Sequence, residues 1–251
     1  MASTQLGASV TATHRLQQIR LRAITADNLT QIWSLFDPTQ ISKSWKKIEP
    51  ILVALVQSRQ PVSVQLAARY MAEFRRAEAV AGSVVTSIPD LPLPSDIVPN
   101  LRFVGPVRAF GLVDRGAAAG DIARLTLSSV EGEITRQILN GGRNVILGTV
   151  ERDRHAEGWT RVTDGNPCAF CAMLATRGAV YKSEGSSSFA AHGKCACTAE
   201  PVYDRSAPLP PLPEKWQQIY TQASRNAQDL PARGRPVDVR REFRRLYDAQ
   251  R

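Results

Sequence analysis

Histidine is scarce in this 251-residue chain: there are three, His14, His155 and His192. A catalytic scheme that needs an imidazole base must use one of them, and no GxSxG or comparable nucleophile signature accompanies any of the three. Long apolar runs are also missing. The longest, 51–56, falls far short of the roughly 20 residues of a membrane helix. Residues 1–13 are small and polar and lack the apolar block of a signal peptide, which predicts a soluble protein made in the cytosol. No internal repeat is present. Cysteine is limited to four residues, and these are not scattered.

Cys168, Cys171, Cys195 and Cys197 all fall within residues 168–197, and His192 sits among them. The pattern is CxxC, then HxxCxC, which offers five thiol or imidazole donors where a tetrahedral zinc needs four. Asn166 and Pro167 supply a tight turn before Cys168. Two cysteines three apart in such a turn can aim their sulfurs at one ion, and the turn's N–H groups help to hold thiolate charge. Residues two apart in a strand share a face, so Cys195 and Cys197 can both look toward the metal, or one can be spare. Lys194 would lower neighbouring thiol pKa values.

Other readings of the same residues are weaker. Two disulfides are possible by count, but a cytosolic chain keeps its thiols reduced. A redox CxxC expects a thioredoxin-like βαβ context and leaves His192, Cys195 and Cys197 without a role. A catalytic zinc needs an open position, which a full thiolate-rich ligand set does not leave. The expectation is one structural zinc ion.

Charge points to an anionic partner. Lys and Arg outnumber Asp and Glu by 32 to 23, giving a net charge of +9. Much of the excess lies in 231–251, where Arg233, Arg235, Arg240, Arg241, Arg244 and Arg245 are candidate phosphate-binding residues and double-stranded DNA is the candidate ligand. The alternative is a solvated helix face.

The fold class expected is α+β, predominantly helical. Residues 1–82 read as a helical region: Leu29, Ile32, Trp33 and Phe36 mark one helix stopped by Asp37-Pro38, 45–55 gives a second, and Val62, Leu66, Tyr70, Phe74 and Ala77 mark a third after Pro61. His14 falls in a mobile start. Residues 83–120, with prolines at 89, 92, 94, 99 and 106, read as an extended linker or arm, with 101–104 and 107–112 as short β-prone stretches. Residues 121–203 form a small α+β module: a helix from Asp121 to Gly141-Gly142, a further turn or two over 144–153, a strand at 158–163, a short helix from Cys168 toward Thr176, a Ser/Gly loop at 183–188 and a strand at 195–202. Such a unit is too small to fold well without its metal. Residues 204–251 give a proline spacer and a basic helical tail, with helices at 214–229 and 237–250.

The run from Trp159 through Asp164-Gly165, Cys168-Ala-Phe-Cys171 and His192-Gly-Lys-Cys195-Ala-Cys197 resembles the C-terminal motif of MuF-like minor head proteins of tailed bacteriophages. In its helical first third the chain is most similar to the minor capsid proteins of phages infecting actinobacteria. One departure is Gly193, where a proline-bearing approach to the second cysteine pair is common. The resemblance implies a virion head component made in the bacterial host cytoplasm, present in few copies and acting in head assembly with the portal or major capsid protein, with packaged DNA as a further contact and no membrane. It also brings one competing function, a capsid maturation protease of the head-assembly locus, for which His155 would be the available base.

Overall fold

The computed structural model describes residues 1–178, 189, 191, 193–229 and 238–250. It is predominantly helical, with one two-stranded antiparallel sheet. Helix α1 (Gln5–Trp33) opens on Thr4, whose side-chain oxygen accepts the Gly7 N–H. Helix α2 (Ile41–Ala77) returns beside it, and the side-chain pairs Thr11 with Tyr70, Gln18 with Ser63 and Asn28 with Arg59 run in opposite senses along the two helices, which makes them antiparallel. His14 is buried in α1, stacked on Tyr70 at 4.4 Å between ring centroids. The start of the chain is thus a packed helix and not a mobile segment.

α2 is one helix where the sequence reads as two. Pro50 and Pro61 each remove a backbone donor, yet the helix runs through both. Ile48, Leu52, Val56, Ala67 and Phe74 are fully buried along it, and this burial sustains the continuity.

The stretch expected as an extended arm is helical over 94–113. Helix α3 (Pro94–Arg102) passes through a π-helical turn at Phe103–Val107 into α4 (Arg108–Val113). Ile97, Leu101, Gly105, Ala109 and Leu112 form its buried stripe. The two β-prone stretches lie inside it. Pro94 sits in the first turn, where its missing N–H costs nothing, and the π turn takes up Pro106. Gly105 lies flat against the Trp45 indole, so close that a Cβ there would overlap the ring.

Helix α5 (Ala119–Arg152) is a single rod through Gly141 and Gly142. Those glycines do not end it; they let α2 approach. A Cβ on Gly142 would fall 2.8 Å from the Ser63 carbonyl oxygen, and one on Gly141 would meet Gln60 and Val64. Contacts from Gln60 to Gln137, Ser63 to Gly142 and Arg75 to Asp153 ascend together, so α2 and α5 run parallel. The first half of α5 completes a core with Trp33, Ile48, Leu52 and Ile97, and its second half faces the cysteine segment.

Strands β1 (Gly158–Val162) and β2 (Thr198–Val202) pair antiparallel with Gly158 opposite Val202 and Val162 opposite Thr198. A lone two-stranded hairpin is marginal in water. This one is buried along almost its whole length, with Trp159, Ala199 and Val202 in the core. Helix α6 (Ala169–Ala175) follows β1. Its outer face carries the helical pair α7 (Pro211–Asp229) and α8 (Val239–Asp248), through Trp216, Ile219, Phe243 and Tyr247. No described helix is long and apolar enough to cross a membrane.

Candidate metal centre

The cysteine site is assembled from two turns and a helix end. Asp164 accepts the Asn166 N–H at 3.3 Å, an Asx turn, and Gly165 takes φ +99, a conformation suited to glycine. The chain then enters α6 with Cys168 as its N-cap: the Cys168 sulfur accepts the Cys171 N–H at 3.4 Å. Cys171 is thereby placed in the first turn of α6, buried and facing back toward the second turn.

That second turn has its own constraints. Lys194 adopts φ +66 and pairs with Glu131 of α5 at 2.9 Å. Gly193 lies against Gly132 of α5 so closely that a Cβ on either would sit about 3 Å from the other's Cα. A proline has no room there, which accounts physically for glycine at this position. The Ala196 N–H reaches Asp164 at 3.2 Å and ties the two turns together. Cys195 and Cys197 follow just before β2.

The outcome is three buried thiols, Cys171, Cys195 and Cys197, with sulfurs all within 4.8 Å of one another; Cys171 and Cys195 are 3.5 Å apart. Four thiolates at 2.3 Å from a tetrahedral zinc would stand about 3.8 Å apart, so the spacing fits such an ion. Cys195 and Cys197 both face the cluster. Cys168 is half-buried beside them and lines the same cavity of about 370 Å³ with Ile19, Arg22 and Asp164. His192, the fifth expected donor, lies outside the described residues, as does the Ser/Gly loop at 183–188.

The thiols behave as one group. Hydrogen bonds from Cys171 and Cys197, with the nearby Arg143 charge, hold the Cys195 thiol well below its ordinary range. Contacts with Cys168, Cys195 and Cys197, together with burial, push Cys171 up. An ion bound here would take the thiols as thiolates and release their protons.

Two residues that the sequence does not single out supply the positive charge. Arg143 of α5, 2 % exposed, donates to the carbonyls of Cys195 (2.6 Å) and Cys197 (3.0 Å). Arg161 of β1 places Nη1 3.8 Å from the Cys171 sulfur. Both guanidiniums lie over the Phe189 ring, at 4.7 Å and 3.8 Å, and Trp159 stacks on Phe189 at 5.3 Å. Lys194, expected to be the cation acting on the thiols, is engaged with Glu131 instead. The only local hint of Arg143 is an arginine inside the apolar run of α5, and nothing local marks its partner fifty-odd residues on.

The candidate nucleic-acid residues divide as well. Arg240, Arg241, Arg244 and Arg245 lie exposed on α8, whose other face buries Phe243 and Tyr247. Arg245 is turned back onto Glu242 at 2.7 Å. Arg233 and Arg235 lie outside the described residues. The tail is therefore anchored over α8: the Tyr247 hydroxyl donates to the Pro167 carbonyl at 2.7 Å, one residue before the cysteine turn.

Comparison with known proteins gives two findings. A family model described as VG15 protein matches residues 7–223. The chain is also similar to the Gene 15 protein of Mycobacterium phage D29, at 23% identity over 226 residues, covering 76% of this chain and 79% of that protein. No solved structure matches the chain.

Proposed function

Since the chain belongs to the VG15 protein family, we propose that it is a minor head protein of a tailed phage, MuF-like in its cysteine motif, that works in head assembly at the portal and is carried in the virion head. The observation that carries this reading is the likeness to a mycobacteriophage protein along most of both chains. Its physical counterpart is a set of buried polar pairs that tie elements together, such as Arg75 with Asp153 and Ser63 with Gly142. His14 is packed between Tyr70 and Thr198, and the exposed His155 contacts its neighbour Arg154, which supports a structural role over a maturation protease.

The cysteine cluster serves as a structural zinc clasp, with Cys171, Cys195 and Cys197 as ligands and Cys168 or His192 as the fourth. When bound, the ion would supply folding energy, with no open position for water. The exposed arginines Arg240, Arg241 and Arg244 form a face on which phosphates of packaged DNA can lie without sequence preference.

The deciding experiment is co-expression with the portal and major capsid proteins of the same genome, followed by mass spectrometry of purified heads. The protein is expected in assembled heads and in a complex with portal. Heads that assemble normally and contain none of it would refute the reading. For the zinc, metal analysis should give one ion per chain, and Cys168→Ser against His192→Ala identifies the fourth ligand by which variant loses it.

A further inference from the structure

The buried charge around the cysteines points to more than a set of ligands. Arg143 is among the most buried large side chains of the molecule, and among the described residues none of its polar partners is a carboxylate. Its Nη1 meets Asn140, and the rest of its fork meets two carbonyl oxygens. A guanidinium cannot shed its charge, so such a burial is tolerated only where negative charge stands close by. The nearest groups able to carry negative charge are the thiols of Cys195 and Cys197, the two residues whose carbonyls it grips.

The carbonyls it grips are two residues apart. In an extended segment residues i and i+2 turn their carbonyls to one edge and their side chains to one face. A fork closed on both carbonyls therefore selects the conformation in which both sulfurs point the same way. Arg143 comes from the middle of α5, held there by Gly142 against Ser63, so the selection is made by a rigid element and not by the loop itself.

We propose that Arg143 is the positioning residue of a thiolate-bound centre for a soft divalent cation, fixing Cys195 and Cys197 for the ion and balancing the charge they bring. This rests on the zinc reading above. Arg161, beside Cys171 and sharing the Phe189 ring, contributes a second positive charge on the opposite strand.

The test uses the full chain and zinc itself, with affinity read by competition against a chromophoric chelator and geometry read from the thiolate-to-metal absorption of the cobalt-substituted protein. Arg143→Met keeps the length and removes the charge and the donors; it should weaken zinc roughly 10–100-fold, as loss of a partner that orients ligands does, and shift the cobalt bands. Arg143→Lys keeps the charge and loses the fork; it should recover part of the affinity and leave the bands altered. Zinc affinity within twofold of wild type for Arg143→Met, or, where that variant does not fold, wild-type affinity and bands for Arg143→Lys, overturns the assignment while the zinc reading stands. A folded wild type that takes up no zinc overturns both.

Discussion

Glycine in the middle of a helix is normally a weakness, and Ala in its place stabilises by about 0.5–1 kcal/mol. Gly142 in α5 should do the opposite. The new methyl would stand 2.7 Å from the Ser63 hydroxyl and 2.8 Å from the Ser63 carbonyl oxygen, with Ala67 at 3.3 Å. The hydroxyl can rotate away, at the loss of its hydrogen bond with the Gly142 N–H, whereas the carbonyl belongs to α2 and cannot move alone. Overpacking of this kind costs about 1–3 kcal/mol, and loss of the hydrogen bond about 1 more, against the helix gain. The net expectation for Gly142→Ala is a destabilisation of about 1–3 kcal/mol, or roughly 2–10 °C in melting temperature for a chain of this size. Gly111→Ala is the control. It lies in α4, where the nearest atoms to a new Cβ belong to the flexible Arg115 side chain at 3.9 Å, so the melting temperature should hold or rise. Differential scanning calorimetry of the two variants decides the matter by sign. A Gly142→Ala protein that melts at or above the wild type would refute the close approach of α2 and α5 on which the account of this rod depends.

Other expectations follow from the buried polar groups. Burial lowers the His14 pKa from 6.5 to about 4, so below pH 6.5 the unfolded chain takes up a proton that the folded chain refuses; stability present at neutral pH is lost as pH falls toward 4, by about 3 kcal/mol in all. The stability gap between wild type and His14→Phe should therefore shift steadily in favour of the variant between those pH values, and parallel curves would count against it. Asp153 is buried against Arg75 and also accepts from the Tyr203 hydroxyl at 3.2 Å, so Asp153→Ala should cost about 3–5 kcal/mol in urea unfolding through the stranded guanidinium; a cost under about 1 kcal/mol would show the pair to be dispensable. Replacing Arg240, Arg241 and Arg244 by Ala should reduce the salt slope of binding to duplex DNA by roughly 2–3, whereas Arg245→Ala should change it least, because Glu242 already neutralises that residue. Equal effects of all four would mean that the face is not read as drawn.

The chain discloses its local chemistry more readily than its long-range packing. The Asp164-Gly165 turn, the short helix beginning at Cys168 and the strand leading out of Cys197 are each specified by residues within a few positions, and each lies close to where the sequence places it. Pro61, Gly141 and Gly142 read as punctuation, and the structure runs helices through all three, as it does through Pro50. Their meaning depends on partners: the glycines are thin because α2 lies on them, and the prolines are tolerated because the residues around them are buried. The same holds for 94–113, where prolines hide a stripe of buried positions from Ile97 to Leu112. At the candidate site the donors are legible and their support is not. Arg143 and Arg161 lie on elements separate from the cysteines, and only the folded chain shows that Arg143 meets the second pair and Arg161 meets Cys171.

The hydrogen bond from Tyr247 to Pro167 bears on how this protein can be handled. Deleting the arginine-rich end is the obvious way to ask whether it touches DNA, but the deletion would also take Phe243 and Tyr247 off α6 and free the carbonyl just ahead of Cys168. A truncated protein that lost DNA affinity would thus have lost a buttress of the cysteine turn in the same cut. Point replacement of the outward arginines leaves that buttress standing, and an affinity tag is better separated from α8 by a flexible spacer than fused directly to it.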